Sequence, residues 1–379
     1  MSCTFFYSDR YLEYYASPEH PLSPNKYLLT LELLKHYELD IDYMQPEPAT
    51  FDQLLLAHSR DYVKVVKHPD SLDSSMVSRF GLGSGDNPVF EDMFDVTRHL
   101  VGGSIQGGRL VMDGEVQHAM NPAAGLHHGH SSRASGFCVF NDVAVAIAYL
   151  RKKYGSKMMY IDIDVHHADG VQRMFYSDDD VLVVSLHEIG KYLFPKDGFV
   201  KQIGEGDGIG YNVNVPLLPY TFDEPFQFAF EEVIPPLAYE FNPDIIIYQC
   251  GADGHFTDPL GHLYLTTGAY SIVTKIVHKL SHEVSEGRLL LLGGGGYEVE
   301  TVPRVWTLIV SEIVEKVLDE RLPESWLQFY QHLTERPPPK YLEDETAPEI
   351  DKTSMEKIWE NTREVVDRVK DEIFKLHGL

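Results

Sequence analysis

The chain is poor in cysteine, poor in basic residues, and lacks any long uninterrupted apolar run. Its 379 residues include three cysteines, Cys3, Cys138 and Cys250, which form no C-x-x-C pair. Neither a disulfide framework nor a zinc ribbon is therefore expected, and a reducing compartment fits. Lysine and arginine total 32 against 58 aspartate and glutamate, a net charge of −26. This excess disfavours non-specific binding to nucleic acid; it suits high solubility, and it is also compatible with a cationic partner. No stretch approaches the ~20 apolar residues of a membrane span. The opening "MSCTFFYSDRYLEYYASPEH" is too polar for a signal peptide. A soluble cytoplasmic protein is expected.

With 43% hydrophobic residues, the chain has ample material for a sizeable core. From about residue 140 the pattern alternates. "DVAVAIAYLRKKYG" reads as a helix, "KMMYIDIDV" and "DVLVVSLH" as strands, and a long Gly- and Pro-rich passage follows. Then come a helix over 222–241, the strand "PDIIIYQCGAD", a helix over 267–287, the strand "RLLLLGGGGY" and a helix over 302–320. Near-continuous apolar strands separated by helices indicate a mostly parallel sheet flanked by helices on both faces, an α/β fold. Earlier, residues 24–39, 51–68 and 87–114 read as helices. The first composition break falls near residue 335, in "ERPPPKYLEDETAPEIDK", before an amphipathic helix from about Ser354. The expected organisation is one domain over 1–335 and a C-terminal segment over 336–379.

The stretch "MMYIDIDVHHADGVQ", residues 158–172, places Asp162, Asp164, His166, His167 and Asp169 in or beside an apolar strand. Ionised carboxylates in a dry core are costly unless something compensates them. In open α/β sheets ligands bind at the carboxyl ends of strands, and Asp253 and Tyr297 also follow strands there. Two carboxylates, an imidazole and a third carboxylate from a neighbouring strand can hold a divalent cation and leave a position open. Structural ion pairs at Asp162 and Asp164 are the alternative.

The loop "NPAAGLHHGHSSRASGFC" adds His127 and His128, which Asp162 and Asp169 could orient for acid–base hydrolysis. Two purely structural histidines are the other reading. "GGGG" at 293–296 lacks the Lys-Ser/Thr of a phosphate loop; bare backbone there allows close approach to a ligand and sets Tyr297. Its phenol could stabilise a developing oxyanion, or simply cap a strand.

Taken together, "GLHHGHSSRASGFCVFNDVAVAI", "YIDIDVHHADGVQ", "VVSLH", "GIGYNVNVPL", "QCGAD" and "LLGGGGY" resemble the histone deacetylase family, class I type. The opening "FFYSDRYLEYYASPEHPLSPNKYLLTLELLK" resembles the bacterial and archaeal acetoin-utilisation deacetylases within it. The resemblance runs from about residue 5 to 312. It implies an arginase/deacetylase-like fold and a metal-dependent amidohydrolase that removes acetyl groups from lysine amines. Asp164, His166 and Asp253 match the zinc ligands, with ferrous iron also compatible with one nitrogen and two carboxylates. His127 matches the imidazole that takes a proton from the attacking water, and His128 its neighbour that helps protonate the leaving amine. Asp162 and Asp169 match the carboxylates behind them, and Tyr297 the oxyanion donor.

By the same resemblance, Gly136, Phe137, Phe194, Leu260 and Gly295 would line an acyl-lysine tunnel, and Asp86 would grip the substrate backbone at the rim. A structural potassium or sodium ion would use Asp162, Asp164, His166, Ser185 and Leu186, and a second one Phe175, Asp178, Val181 and Tyr211. Three positions depart from the family pattern. Lys26 replaces a frequent arginine near the acetate exit, Leu193 replaces one of two common aromatics, and Ala168 replaces a glycine. An arginase-type binuclear site would need aspartate at position 168, where the chain has Ala168. An acetylated polyamine or other small amide is the alternative substrate, and a catalytically inactive acyl-lysine binder the alternative class.

Overall fold

Eight strands form one sheet in which every pairing is parallel. The structure is a computed structural model and describes residues 3–379 apart from 16, 18, 19, 72 and 84. The strands are β1 (Cys3–Phe6), β2 (Asp42–Met44), β3 (His118–Asn121), β4 (Met158–Asp162), β5 (Val181–Glu188), β6 (Asn212–Leu217), β7 (Ile245–Gln249) and β8 (Leu289–Leu292). Their order is β2-β1-β3-β8-β7-β4-β5-β6. The four strands expected from long apolar runs, β4, β5, β7 and β8, are neighbours at its centre.

Thirteen α-helices of the described residues surround the sheet: α1 (Asn25–His36), α2 (Phe51–Leu54), α3 (Arg60–Lys67), α4 (Ser74–Arg79), α5 (Met93–Met112), α6 (Asp142–Tyr154), α7 (Asp169–Phe175), α8 (Asp223–Phe241), α9 (Thr267–Val284), α10 (Val302–Ile313), α11 (Glu324–Thr334), α12 (Lys352–Val369) and α13 (Lys375–His377). Side-chain alternation divides each central strand between two cores. Met158, Tyr160, Val181, Val183, Ile245, Ile247, Leu290 and Leu292 meet α6 and α7 through Val143, Ile147 and Phe175. Met159, Ile161, Leu182, Val184, Ile246, Tyr248, Leu289 and Leu291 face the other way, toward α8, α9 and α10.

Several expectations need correction. The helix expected over 51–68 is two helices, because Ser59 caps a new one by accepting from Tyr62 N. The helix expected over 87–114 starts only at Met93, and the one over 302–320 ends at Ile313. The Gly/Pro-rich passage contains β6, an edge strand that carries Pro216. No described helix is long and apolar enough to cross a membrane.

The C-terminal segment is tied to the rest along its length: Tyr341 bridges to Arg321, Leu342 is buried with Leu29 and Trp326, and α12 and Asp344 add further contacts. Val365, Val366 and Val369 of α12 are buried in the same core as α8 and β6. Asp344, with its side chain 9% exposed, accepts from His255 Nε2 at 2.7 Å, Arg304 Nη1 at 3.0 Å and Thr267 N at 2.8 Å. Burial alone would raise the pKa of this carboxyl; the hydrogen bond and charge of His255, then Arg304, hold it well below the ordinary range. A depressed folded-state pKa adds stability above about pH 4 that is lost as pH falls through the folded value. Asp344→Ala is expected to cost about 3–5 kcal/mol in urea unfolding at pH 7, because Arg304 is left buried and unpaired. The gap to wild type should narrow toward pH 3. A pH-independent gap would show that packing, and not charge, supplies the effect.

Candidate active site

All the polar clusters singled out in the sequence, save the rim and the second cation set, lie at the carboxyl edge of the sheet. β3 leads into the loop with His127 and His128, β4 ends at Asp162, β7 runs on to Asp253, and β8 ends in the four glycines before Tyr297. Asp164 and His166 lie just beyond β4, in a bend. Asn141 fixes the histidine loop: its side chain caps α6 and donates to His127 O at 3.1 Å and Gly129 O at 2.9 Å. Asp142 holds the other side by accepting from Leu126 N at 2.7 Å and Gly125 N at 3.2 Å.

Two imidazole–carboxylate pairs result. His127 Nδ1 meets Asp162 Oδ2 at 2.7 Å, and His128 Nδ1 meets Asp169 Oδ1 at 2.7 Å. Their Nε2 atoms face each other at 3.1 Å. Asp162 also accepts from Tyr160 OH and, at 2.9 Å, from Asp164 N, so donors surround it. Each Nδ1 carrying a proton to its carboxylate leaves Nε2 free to accept or give one. The two rings differ electrostatically. Burial opposes a charge on His127, but Asp162 and Asp164 push its pKa up to about 9. Burial and the adjacent His127 push His128 down to about 4.

Next to this pair, one oxygen or nitrogen from each of Asp164, His166 and Asp253 falls within 4.8 Å of the others. His166 Nδ1 lies 3.1 Å from Asp164 Oδ1 and 3.0 Å from Asp253 Oδ2. Gln249 Nε2 and Gly295 N donate to Asp164 Oδ2 at 2.9 and 2.8 Å, and Val165 N donates to Asp253 Oδ1 at 2.8 Å. The three are nearly inaccessible, at 2%, 8% and 0% exposure. Burial and the Asp164 charge raise the pKa of Asp253, and the two carboxylates raise that of His166 against its burial. Both shifts express a surplus of negative charge in a dry place. One imidazole and two carboxylates at this spacing suit a divalent transition ion.

Tyr297 hangs on a loop held from two sides. Asp258 Oδ2 accepts from Tyr297 N at 2.7 Å, and Lys26 Nζ donates to Gly294 O at 3.2 Å and Gly296 O at 3.0 Å. Lys26 is 1% exposed, and burial pushes it down to about 8. Gly295 must be glycine: a Cβ would stand 2.0 Å from Asp253 Oδ2 and 2.7 Å from Asp164 Oδ2. Burial and the Asp253 and Asp164 charges hold the Tyr297 phenol well above its usual pKa, so it stays protonated.

Three of the expected wall residues converge here. The Phe194 ring is 4.9 Å from that of His128, and Phe137 lies 5.6 Å from Tyr297. A Cβ on Gly136 would strike His128 Cδ2 at 2.5 Å. Leu193 is buried beside Phe194, and Ala168 is buried in the other core. Leu260 sits in the Asp258 turn, its N–H bonded to Asp258 Oδ1 at 2.9 Å. Asp86 is exposed at the rim, where its carbonyl meets His20 Nε2 at 3.3 Å, and His20 packs 4.7 Å from Phe137. A surface cleft of about 850 Å³ opens there, lined by Tyr15, His20 and Phe90 with Arg10, Glu13 and Asp92.

Of the expected cation sets, register places Ser185 directly beside Asp162, and Leu186 follows it in β5. Phe175, Asp178, Val181 and Tyr211 lie apart from this cluster, and Asp178 is ion-paired with Arg151. Phe175 O already accepts from Asp178 N at 3.1 Å and Tyr211 O from Val183 N at 2.9 Å.

Sequence reading overlooked the supporting residues Asn141, Asp142, Gln249 and Asp258. Asn141 before a helical run was a legible N-cap. Gln249 was a polar residue ending an apolar strand. Asp258 offered no signal, because it acts on backbone N–H groups 2 and 39 residues away.

Residues 20–313 match the family described as the histone deacetylase domain. An acetoin utilization protein, AcuC, of Bacillus subtilis (strain 168) is 41% identical over 332 residues, covering 86% of this chain and 86% of that protein. Its namesake in Staphylococcus aureus (strain MSSA476) is 36% identical over 346 residues, or 90% of this chain and 89% of that one. A solved HDAC homologue complexed with SAHA has a TM-score of 0.86 at 32% identity, covering 98% of this chain and 100% of that chain. An HDAC homologue from Aquifex aeolicus has a TM-score of 0.85 at 32% identity, with the same coverage. The family match spans most of the chain, and the chain therefore belongs to the histone deacetylase family.

Proposed function

We propose that this protein hydrolyses the acetyl amide of N6-acetyl-lysine in proteins, with a divalent ion, zinc or ferrous iron, held by Asp164, His166 and Asp253. The observation that supports this most is the pair of carboxylate-backed imidazoles, Nε2 to Nε2 at 3.1 Å, beside that trio. When bound, such an ion polarises the amide carbonyl and makes water more acidic.

The chain's own residues supply the rest. Asp162 fixes the His127 tautomer, so that Nε2 faces the attacking water and takes its proton. The raised pKa of His127 depends partly on Asp164, and neutralising that charge brings it toward the range where a base works. The proton that His127 takes passes across the 3.1 Å contact to Nε2 of His128, oriented by Asp169, which gives it to the departing lysine amine. Tyr297 donates to the amide oxygen as negative charge grows on it, and Lys26 and Asp258 keep the phenol in position. Gly136, Phe137, Phe194, Leu260 and Gly295 enclose the acyl-lysine stem, with Asp86 at the rim as the anchor for substrate backbone. Potassium or sodium ions at the Asp162–Ser185 and Phe175–Tyr211 sets would brace the loops beneath.

A second substrate class has one observation in its favour. The rim cleft is lined by Glu13, Glu91 and Asp92, against one arginine that is already paired with two of them. That surplus suits an acetylated polyamine.

Tyr297→Phe tests the mechanism. It keeps the ring and the glycine turn and deletes only the donor. A donor that matters chiefly in the transition state lowers kcat and leaves ground-state affinity nearly alone. The expected loss is on the order of 10²–10³-fold in kcat, with peptide affinity unchanged by direct binding. Turnover within fivefold of wild type and a collapse in affinity would assign Tyr297 to binding.

A further inference from the structure

Away from the carboxylate site, three imidazoles meet at the opposite end of the sheet. His118 is the first residue of β3, whereas the loop that carries His127 leaves from its last. His278 and His282 are four residues apart on α9 and so share a face of that helix. Ring centroids are 4.9 Å apart for His118–His278, 5.3 Å for His118–His282 and 4.9 Å for His278–His282. One nitrogen from each ring lies within 4.8 Å of the other two.

His278 Nε2 and His282 Nε2 are 3.1 Å apart. Two nitrogens bound to one tetrahedral ion at ~2.0–2.1 Å stand ~3.3 Å apart, so this spacing already suits a ligand pair. A hydrogen bond between two imidazoles explains that contact equally well, but it leaves His118 unexplained. His118 is 0% exposed, and neither of its ring nitrogens has a hydrogen-bond partner. The Gly287 backbone is close enough to favour the protonated ring slightly, without a hydrogen bond of acceptable geometry. A neutral imidazole has one N–H and one lone pair to satisfy, and an orphaned buried group of this kind calls for a reason such as an ion.

The surroundings fit access and tight packing. Gly287 has a φ of +81°, and a Cβ there would stand 2.9 Å from Cε1 and Nδ1 of His282. A cleft of about 880 Å³, lined in part by His278, His282, Glu312 and Glu315, reaches the cluster from the surface.

We propose that His118, His278 and His282 form a second metal site that takes a divalent ion of the zinc, nickel, cobalt or copper class. Three imidazoles select such ions over magnesium and calcium, which prefer oxygen ligands. The ion ties the start of β3 to the end of α9, on separate elements that would otherwise meet through bare rings. Binding to the folded chain alone stabilises it.

The test compares wild-type holoprotein with His282→Ala, a change at an exposed position. After equilibration with Zn2+ and gel filtration, wild type should retain one more equivalent per chain than the variant. Loading with Cu2+ should give an electron paramagnetic resonance signal with imidazole nitrogen coupling that the variant lacks. His278→Gln must give the same two losses, which guards against misfolding of either variant. Deacetylation should be equal in all three proteins, since none of these residues belongs to the active site. Equal metal content in wild type and both variants, with unchanged spectra, overturns the site.

Discussion

His127→Ala is expected to lower kcat by about 10²–10⁴-fold, the range for loss of a positioned acid–base group. Nδ1 is committed to Asp162 at 2.7 Å, and Nε2 is turned toward His128 and the Asp164–His166–Asp253 trio. An alanine leaves Asp162 with donors from Tyr160 OH and Asp164 N, so the carboxylate is not abandoned and the fold should hold. Asp162→Asn should give a smaller loss, because the ring remains but its tautomer is no longer enforced. Steady-state kinetics on an acetyl-lysine peptide measure both. A loss below threefold for His127→Ala would mean that the two histidines are structural.

Asp253→Ala should have the largest effect of all, removing the metal equivalent held by Asp164, His166 and Asp253 together with detectable turnover. The substitution also strips an acceptor from Val165 N, at a cost of about 1–3 kcal/mol if that donor is left dry. Asp253→Asn avoids this, since its amide oxygen still accepts from Val165. The asparagine variant should likewise lose the ion, yet its metal-free form should be at least as stable as metal-free wild type. Burial and Asp164 resist ionisation of Asp253, and removing that charge relieves the repulsion. Elemental analysis, acetate release and thermal unfolding of the three proteins decide the point. Either variant retaining full metal content and activity sinks the ligand assignment.

The parts of the fold that were legible in the sequence are those with long apolar runs. β4, β5, β7 and β8 are buried on both faces and read as continuous hydrophobic segments. β1 and β3 have four residues each and β2 three, all of them exposed in β2, too short to show a period. β6 carries Pro216, which its edge position tolerates, and Asn212 and Asn214, whose buried side chains donate to Gln172 Oε1 at 2.8 Å and break the apolar pattern. The helix at 87–114 was read too long at its start, where Asp92 takes a left-handed conformation (φ +55°) just before α5, and the one at 302–320 at its end, where Glu315 does the same (φ +53°) just after α10.

The candidate site was legible for a physical reason: Asp162, Asp164, His166 and Asp253 are charges where a core should be apolar. Residues that act by holding backbone, such as Asp258 on Tyr297 N, leave no such contradiction in the sequence. His118 was invisible for another reason. A single histidine in a four-residue strand carries no information until α9 brings His278 and His282 beside it.

The central claim is hydrolysis of acetyl-lysine in protein substrates, and acetate release tests it most directly. Metal-replete enzyme would be given an N6-acetyl-lysine peptide and, separately, an N-acetylated polyamine, each over a range of concentrations. The rim cleft beside Phe137 has room for peptide backbone, so kcat/KM should be higher for the peptide, and chelation should abolish both activities. Release of acetate from the polyamine alone, or turnover of the peptide that survives removal of all metal, would contradict the account.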